Sequence, residues 1–102
     1  MNICQSGDTL SVSGLMQLGG ADSSSFKATL CAALPSEVRN IDIDLSQTGY
    51  VDCGGVGALI ALKNCADRRN GAVAIRLLNP TPPVRRMFKL TRMDRVFPIH
   101  RS

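Results

Sequence analysis

Residues 41 to 70 constrain the fold more tightly than any other stretch of this chain. Ile41, Ile43 and Leu45 alternate with Asp42 and Asp44, the two-residue period that puts apolar side chains on one face of a β-strand. Val51 and the run Asp52-Cys53-Gly54-Gly55 then lead into Val56 to Asn70, where Leu, Ile and Ala favour a helix. Arg68, Arg69 and Gly71 mark the end of that helix, because basic side chains suit its C-terminus and glycine accepts the conformation that closes it. A strand that runs into a long helix buries both by pairing with a parallel strand beyond it. Val73 to Leu77 supplies that strand.

The flanking segments extend the same plan. Asn2 to Gln5 and Thr9 to Ser13, with Leu10 and Val12 on one face and Ser6-Gly7 between the two runs, read as an antiparallel hairpin. Gly14 ends it. Leu15 to Ser25, with Gly19, Gly20 and three serines, reads as a flexible loop before a helix capped by Asp22 or a serine. That helix runs to about Leu34 with Phe26, Leu30 and Ala33 inward, and Pro35 stops it. Asn79-Pro80 marks a turn, and Thr81-Pro82-Pro83 is a cap residue followed by prolines that a first helical turn tolerates. The last helix reaches Leu90, with Val84, Met87 and Phe88 inward and Arg85, Arg86 and Lys89 outward, and Val96 to Ile99 reads as a final strand. The expectation is one α/β domain over residues 1–102: a mixed, mostly parallel sheet of about five strands with helices packed against it.

Composition excludes several classes. The chain of 102 residues is 44% hydrophobic and 20% charged, ordinary for a globular domain. Its longest apolar run, Ala58 to Leu62, is far short of the roughly 20 residues of a membrane span. Met1 to Leu10 lacks a basic region followed by an apolar core, so no secretory leader is expected and the cytosol is the expected compartment. Cys4, Cys31, Cys53 and Cys65 lack Cys-x-x-Cys spacing, so free thiols are expected rather than a metal site or a disulfide framework. The single histidine, His100, reads as a tail residue. No cofactor, metal or catalytic residue is expected.

Charge is unevenly spread. Residues 1–60 carry 2 basic and 6 acidic side chains, and residues 61–102 carry 10 basic and 2 acidic. The basic half could face nucleic acid, an anionic membrane surface or an acidic protein, or only solvent. Few aromatic residues accompany the charge, which argues against stacking on bases through Arg68, Arg69, Arg85, Arg86 and Arg92.

The segment Ile43-Asp44-Leu45-Ser46-Gln47-Thr48-Gly49-Tyr50-Val51-Asp52-Cys53-Gly54-Gly55-Val56-Gly57-Ala58-Leu59 resembles the signature of STAS domains (sulfate transporter and anti-sigma factor antagonist). In that family a strand ending in Asp-Leu precedes Asp-Ser-Ser-Gly-Leu-Gly and a long helix. Asn79 to Thr91 and Met93 to Ile99 look like the closing helix and strand of anti-sigma factor antagonists. The resemblance spans about residues 8 to 99 and implies a protein-binding module without enzymatic activity.

It also implies a partner surface at the start of the helix after Asp52, comprising Asp52, Cys53, Gly54, Gly55, Val56, Ala58 and Leu62. In phosphorylated members the acceptor is the Ser or Thr directly after the Asp, which corresponds to Cys53, and the next Ser corresponds to Gly54. This chain has neither hydroxyl, so the usual phosphoswitch is expected to be absent. A thiol at a helix start can also be reactive, although the carboxylate of Asp52 opposes thiolate formation and small thiols often only pack. Asp52 is expected to cap the helix or hold the loop, and Asp44 to be structural. Gly54, Gly55 and Gly57 lack the Lys-Ser/Thr ending of a phosphate-binding loop.

With Val56, Leu59, Ile60 and Ala66 turned to the sheet, Ala58, Ala61, Leu62 and Cys65 fall outward. There they form an apolar docking patch or widen the buried stripe. Lys63 lies within that stripe. The expected partner is an anti-sigma factor or switch kinase. The alternative is the ATPase or permease of an ABC-type lipid transporter, whose STAS subunits can carry Asp-Thr-Gly-Gly where this chain has Asp52-Cys53-Gly54-Gly55. A second copy of the chain is a further candidate. Arg92 stands where the family commonly has Gly, so the turn there is expected to be widened or strained by about 1 kcal/mol.

Overall fold

A computed structural model describes residues 2–19 and 21–100. The chain runs β1 (Asn2–Ser6), β2 (Thr9–Ser13), α1 (Ala21–Ala33), β3 (Asn40–Asp44), α2 (Cys53–Asn70), β4 (Ala74–Leu78), α3 (Pro82–Leu90), a 3-10 turn (Met93–Arg95) and β5 (Ile99–His100). The strands form one five-stranded sheet in the order β1-β2-β3-β4-β5. The β1–β2 hairpin is antiparallel, and β2–β3, β3–β4 and β4–β5 are parallel.

Strand order and register decide where the core lies. Crossovers of one hand between strands that advance steadily in one direction put their helices on the same face of the sheet. Leu10, Ile41 and Ile75 form one aligned row and Val12, Ile43 and Leu77 the next, and all six are buried. They join Phe26, Leu30 and Leu34 of the α1 segment, Leu59 and Leu62 of α2, and Val84 and Phe88 of α3 in a single core. The opposite face is more polar. Ser11 is aligned with Asp42 and Asp42 with Arg76, and the Arg76 guanidinium grips the Asp42 carboxylate with two bonds of 2.6 and 2.7 Å.

Several local expectations are corrected. The segment before α1 is not a loose loop: Leu18 bridges Val51 in parallel, so its backbone groups are paired. Helix α1 starts at Ala21, which puts Asp22 and the serines in its first turns rather than before it; residue 20 lies outside the described residues. On α1 Ala33 is exposed and Leu34 is buried, because the inward spacing continues from Phe26 and Leu30 in steps of four. The closing strand is Ile99–His100 rather than Val96 to Ile99. His100 is therefore not a loose tail residue: its backbone carbonyl accepts the Asn79 N–H at 2.8 Å.

Helix α2 differs most from expectation. Ala58 and Leu62 are buried, so of the two readings of the outer residues the widened buried stripe holds for them, whereas Ile60, expected inward, is 41% exposed. The reason is that α2 packs on α1 as well as on the sheet, and two neighbours bury a wider stripe than one. Arg69, next to the end of α2, donates to the Cys31 carbonyl of α1. Lys63 keeps its ammonium on Asp67 at 3.1 Å and on the Val73 carbonyl, with its stem along the fold.

Candidate functional site

Two chain segments running side by side build the start of α2. The Gly49 N–H donates to the Met16 carbonyl at 3.0 Å, Leu18 N–H to Tyr50 O at 2.8 Å and Asp52 N–H to Leu18 O at 3.2 Å. Beneath them Thr48, the buried polar side chain of the core, donates its hydroxyl to the Leu15 carbonyl at 2.6 Å. The Thr81 hydroxyl in turn donates to the Thr48 carbonyl at 2.6 Å, which ties the start of α3 to the same loop. The buried Thr48 bond satisfies a Leu15 oxygen that would otherwise lack a partner away from water.

Asp52 caps α2. Its backbone is extended and its Oδ1 accepts the Gly55 N–H at 3.0 Å, which satisfies one of the donors that every helix start leaves open, while its carbonyl accepts the first bond of the helix, from the Val56 N–H at 3.0 Å. The other carboxylate oxygen accepts the Tyr50 hydroxyl at 3.4 Å. The negative charge of Asp52, followed by desolvation and that bond, pushes the Tyr50 phenol above its ordinary value. Asp44 closes the turn after β3, its Oδ1 accepting the Ser46 N–H at 3.0 Å and its Oδ2 the Ser46 hydroxyl at 3.2 Å.

Of the residues expected to meet a partner, Cys53 and Gly54 are exposed and Asp52 is half-buried. Gly55, Val56, Ala58 and Leu62 are buried, so they shape the site mainly from inside. The outward residues of the first turns are Cys53, Gly54, Gly57 and Ile60, and beside them Met16 is 69% and Tyr50 54% exposed. Sequence reasoning missed Met16, Tyr50 and Ile60. The one available signal was Tyr50, the lone tyrosine, two residues before Asp52. It also missed Gly19, whose missing side chain makes room for Asp52: a Cβ there would lie 2.6 Å from the carboxylate carbon.

The arrangement offers a capped helix start bordered by the exposed Met16 and Tyr50. All four cysteines are free thiols. Among the described residues no group of three or more His, Cys, Asp or Glu could hold a metal ion, and no helix is long and apolar enough to cross a membrane. An open cavity of about 340 Å³ between Gly14–Leu18 and α1 is lined by Met16, Leu18, Phe26 and Thr29 among others, with no ionisable side chain.

A parallel sheet behind a capped strand-to-helix junction is the frame on which the comparisons bear, and residues 3–99 match the family model described as Mlab, STAS domain. The chain belongs to this STAS domain family. Solved STAS proteins share its fold. The anti-sigma factor antagonist SpoIIAA in its unphosphorylated form superimposes with a TM-score of 0.80 at 18% identity, covering 99% of this chain and 86% of that one. An anti-sigma factor antagonist of Mycobacterium paratuberculosis gives 0.79 at 19% identity, covering 97% of this chain and 82% of that one. A STAS domain protein of Planctomyces limnophilus gives 0.78 at 17% identity, covering 99% and 88%. No curated protein matches the chain. At these identities the structural likeness establishes the STAS fold: one antiparallel strand pair, otherwise parallel, with three helices.

Proposed function

We propose that this STAS domain is a non-enzymatic regulator that binds an anti-sigma factor or switch kinase at the start of α2, without a phosphorylation switch of its own. The observation that carries the reading is the exposed Cys53 directly after the capping Asp52. It occupies the position that the family resemblance gives to the phosphoacceptor hydroxyl. A phosphate there would add about 1.5 to 2 negative charges beside the helix start; a thiol leaves the surface unchanged. The contact residues are then Cys53, Gly54, Gly57 and Ile60, with Met16 and Tyr50 at the border and Asp52 holding the frame.

Introducing charge at Cys53 tests the reading. The chain would be titrated against the purified histidine-kinase-like ATPase encoded nearest to its gene, as wild type, Cys53→Ser and Cys53→Asp. Binding retained by Cys53→Ser and weakened at least tenfold by Cys53→Asp is expected, with no stable phosphate on the wild type after incubation with ATP. Equal binding by all three would remove the helix start from the interface.

A second reading, an accessory subunit of an ABC-type lipid transporter, is supported by the exposed Gly54. It leaves Asp52-Cys53-Gly54-Gly55 closer to Asp-Thr-Gly-Gly than to Asp-Ser-Ser-Gly. Binding to a neighbouring transporter ATPase or permease in the same titration, with none to the kinase-like protein, would decide for it.

A further inference from the structure

The most concentrated charge in the fold lies away from the start of α2. Arg85, Arg86, Lys89, Arg92 and Arg95 fall within eleven residues, opposed there by Asp94 alone. All but the half-buried Arg85 are exposed, and none of the five makes a side-chain hydrogen bond or ion pair among the described residues. Elsewhere Lys63 and Arg76 pair with carboxylates, and Arg39 and Arg69 donate to the carbonyls of Asn70 and Cys31, which leaves only the separate Lys27 and Arg68 without a side-chain partner among the other described cations.

Large apolar side chains stand among these free charges. Leu90 is 76% and Val96 56% exposed. They are not neighbours that the core failed to reach, since Val84, Phe88, Met93 and Phe97 around them are buried. With Val84 and Phe88 inward, Arg86, Lys89 and Leu90 share the outer side of α3. Arg92, in the left-handed conformation at φ 59°, then turns the chain so that Met93 and Phe97 point in while Arg95 and Val96 point out.

We propose that this corner, from Arg85 to Val96, docks on an anionic lipid bilayer. Clustered unpaired cations attract an anionic partner, and the exposed Leu90 and Val96 select among such partners. Headgroups take the arginines and the lysine while the apolar side chains enter the acyl boundary. Nucleic acid would leave Leu90 and Val96 unused and has no aromatic platform here, since Phe88 and Phe97 are buried. The Thr81–Thr48 bond anchors the start of α3 beside the candidate site. The corner extends from the middle of a nine-residue helix to beyond its far end, where Leu90 lies roughly 13 Å from Thr81 at the rise of an α-helix. The two surfaces can therefore be engaged together, and the inference stands independently of the partner assigned to α2.

Vesicle flotation of the full chain tests it, with vesicles of phosphatidylcholine alone and of phosphatidylcholine and phosphatidylglycerol in equal parts. Binding to the mixed vesicles only, released by high salt, is expected. Lys89→Gln and Arg95→Gln should each weaken partitioning about fivefold, and Leu90→Ser about tenfold. All three positions are exposed, and an unchanged Tm would show that the variants fold. Absence of binding to anionic vesicles, or Leu90→Ser binding like wild type, would overturn the proposal. So would equal, Leu90-independent binding to polyglutamate or random-sequence duplex DNA, which would assign the corner to charge alone.

Discussion

Gly55 of α2 lies against the backbone of Leu18: a Cβ on Gly55 would come within 2.2 Å of the Leu18 carbonyl oxygen. That oxygen accepts the Asp52 N–H, so the close approach and the cap belong to one structure. Gly55→Ala should destabilise the domain by about 3 kcal/mol, the upper range for overpacking against atoms that cannot move aside. Gly57→Ala is the control, because nothing lies within 4 Å of a Cβ there. Urea denaturation compares them, and equal midpoints for the two variants would contradict the geometry.

Thr48 links three segments through a buried hydroxyl and its own carbonyl. Thr48→Val keeps the volume and removes the donor, leaving the Leu15 oxygen unsatisfied. A loss of about 1 to 2 kcal/mol is expected. Thr48→Ser, which keeps the donor, should recover part of it. A valine variant as stable as wild type would show that this bond adds nothing net.

Arg92 adopts the left-handed conformation with φ 59° and ψ 25°, which costs a residue bearing a Cβ about 1 kcal/mol or slightly more. Arg92→Gly should raise the stability by a few tenths to about 1 kcal/mol, since the added freedom of glycine in the unfolded chain offsets part of the gain. Thermal unfolding reads the sign. A lower Tm would mean that Arg92 makes compensating contacts in the folded protein.

Asp67 accepts the Val73 N–H at 2.9 Å and the Lys63 ammonium at 3.1 Å. Chiefly the backbone bond, against some desolvation and with help from Lys63, holds its carboxyl below the ordinary value. A group whose folded pKa lies below its unfolded one adds stability above the unfolded value, and loses it as pH falls through the folded one. Stability measured from pH 6 to pH 2 should therefore fall less steeply at its acid end in Asp67→Asn than in wild type. Parallel curves would show that Asp67 titrates alike in both states.

Much of the architecture was legible because it depends on local pattern. The alternation from Ile41 to Leu45, the helix ended by Gly71, the Thr81-Pro82-Pro83 start and the hairpin around Gly7 each express a preference that neighbouring residues carry. The cap at Asp52 was legible for the same reason, since a carboxylate reaches a backbone N–H three residues ahead; the turn that Asp44 closes on Ser46 was not read from the sequence.

The outward face of the α2 start was not legible. Which side of α2 is free depends on α1 as much as on the sheet, and no residue within α2 records where α1 packs. Hence Ala58 and Leu62 read as outward and Ile60 as inward, whereas the structure reverses them. The Leu15 to Gly19 segment was equally silent, because its order comes from long-range bonds to Thr48, Tyr50 and Asp52. By itself the sequence determined the order of strands and helices and the capped junction at Asp52, which rest on local hydrogen bonding and side-chain period. Only the tertiary structure decided which side chains that junction presents, because exposure depends on the packing of segments distant in sequence.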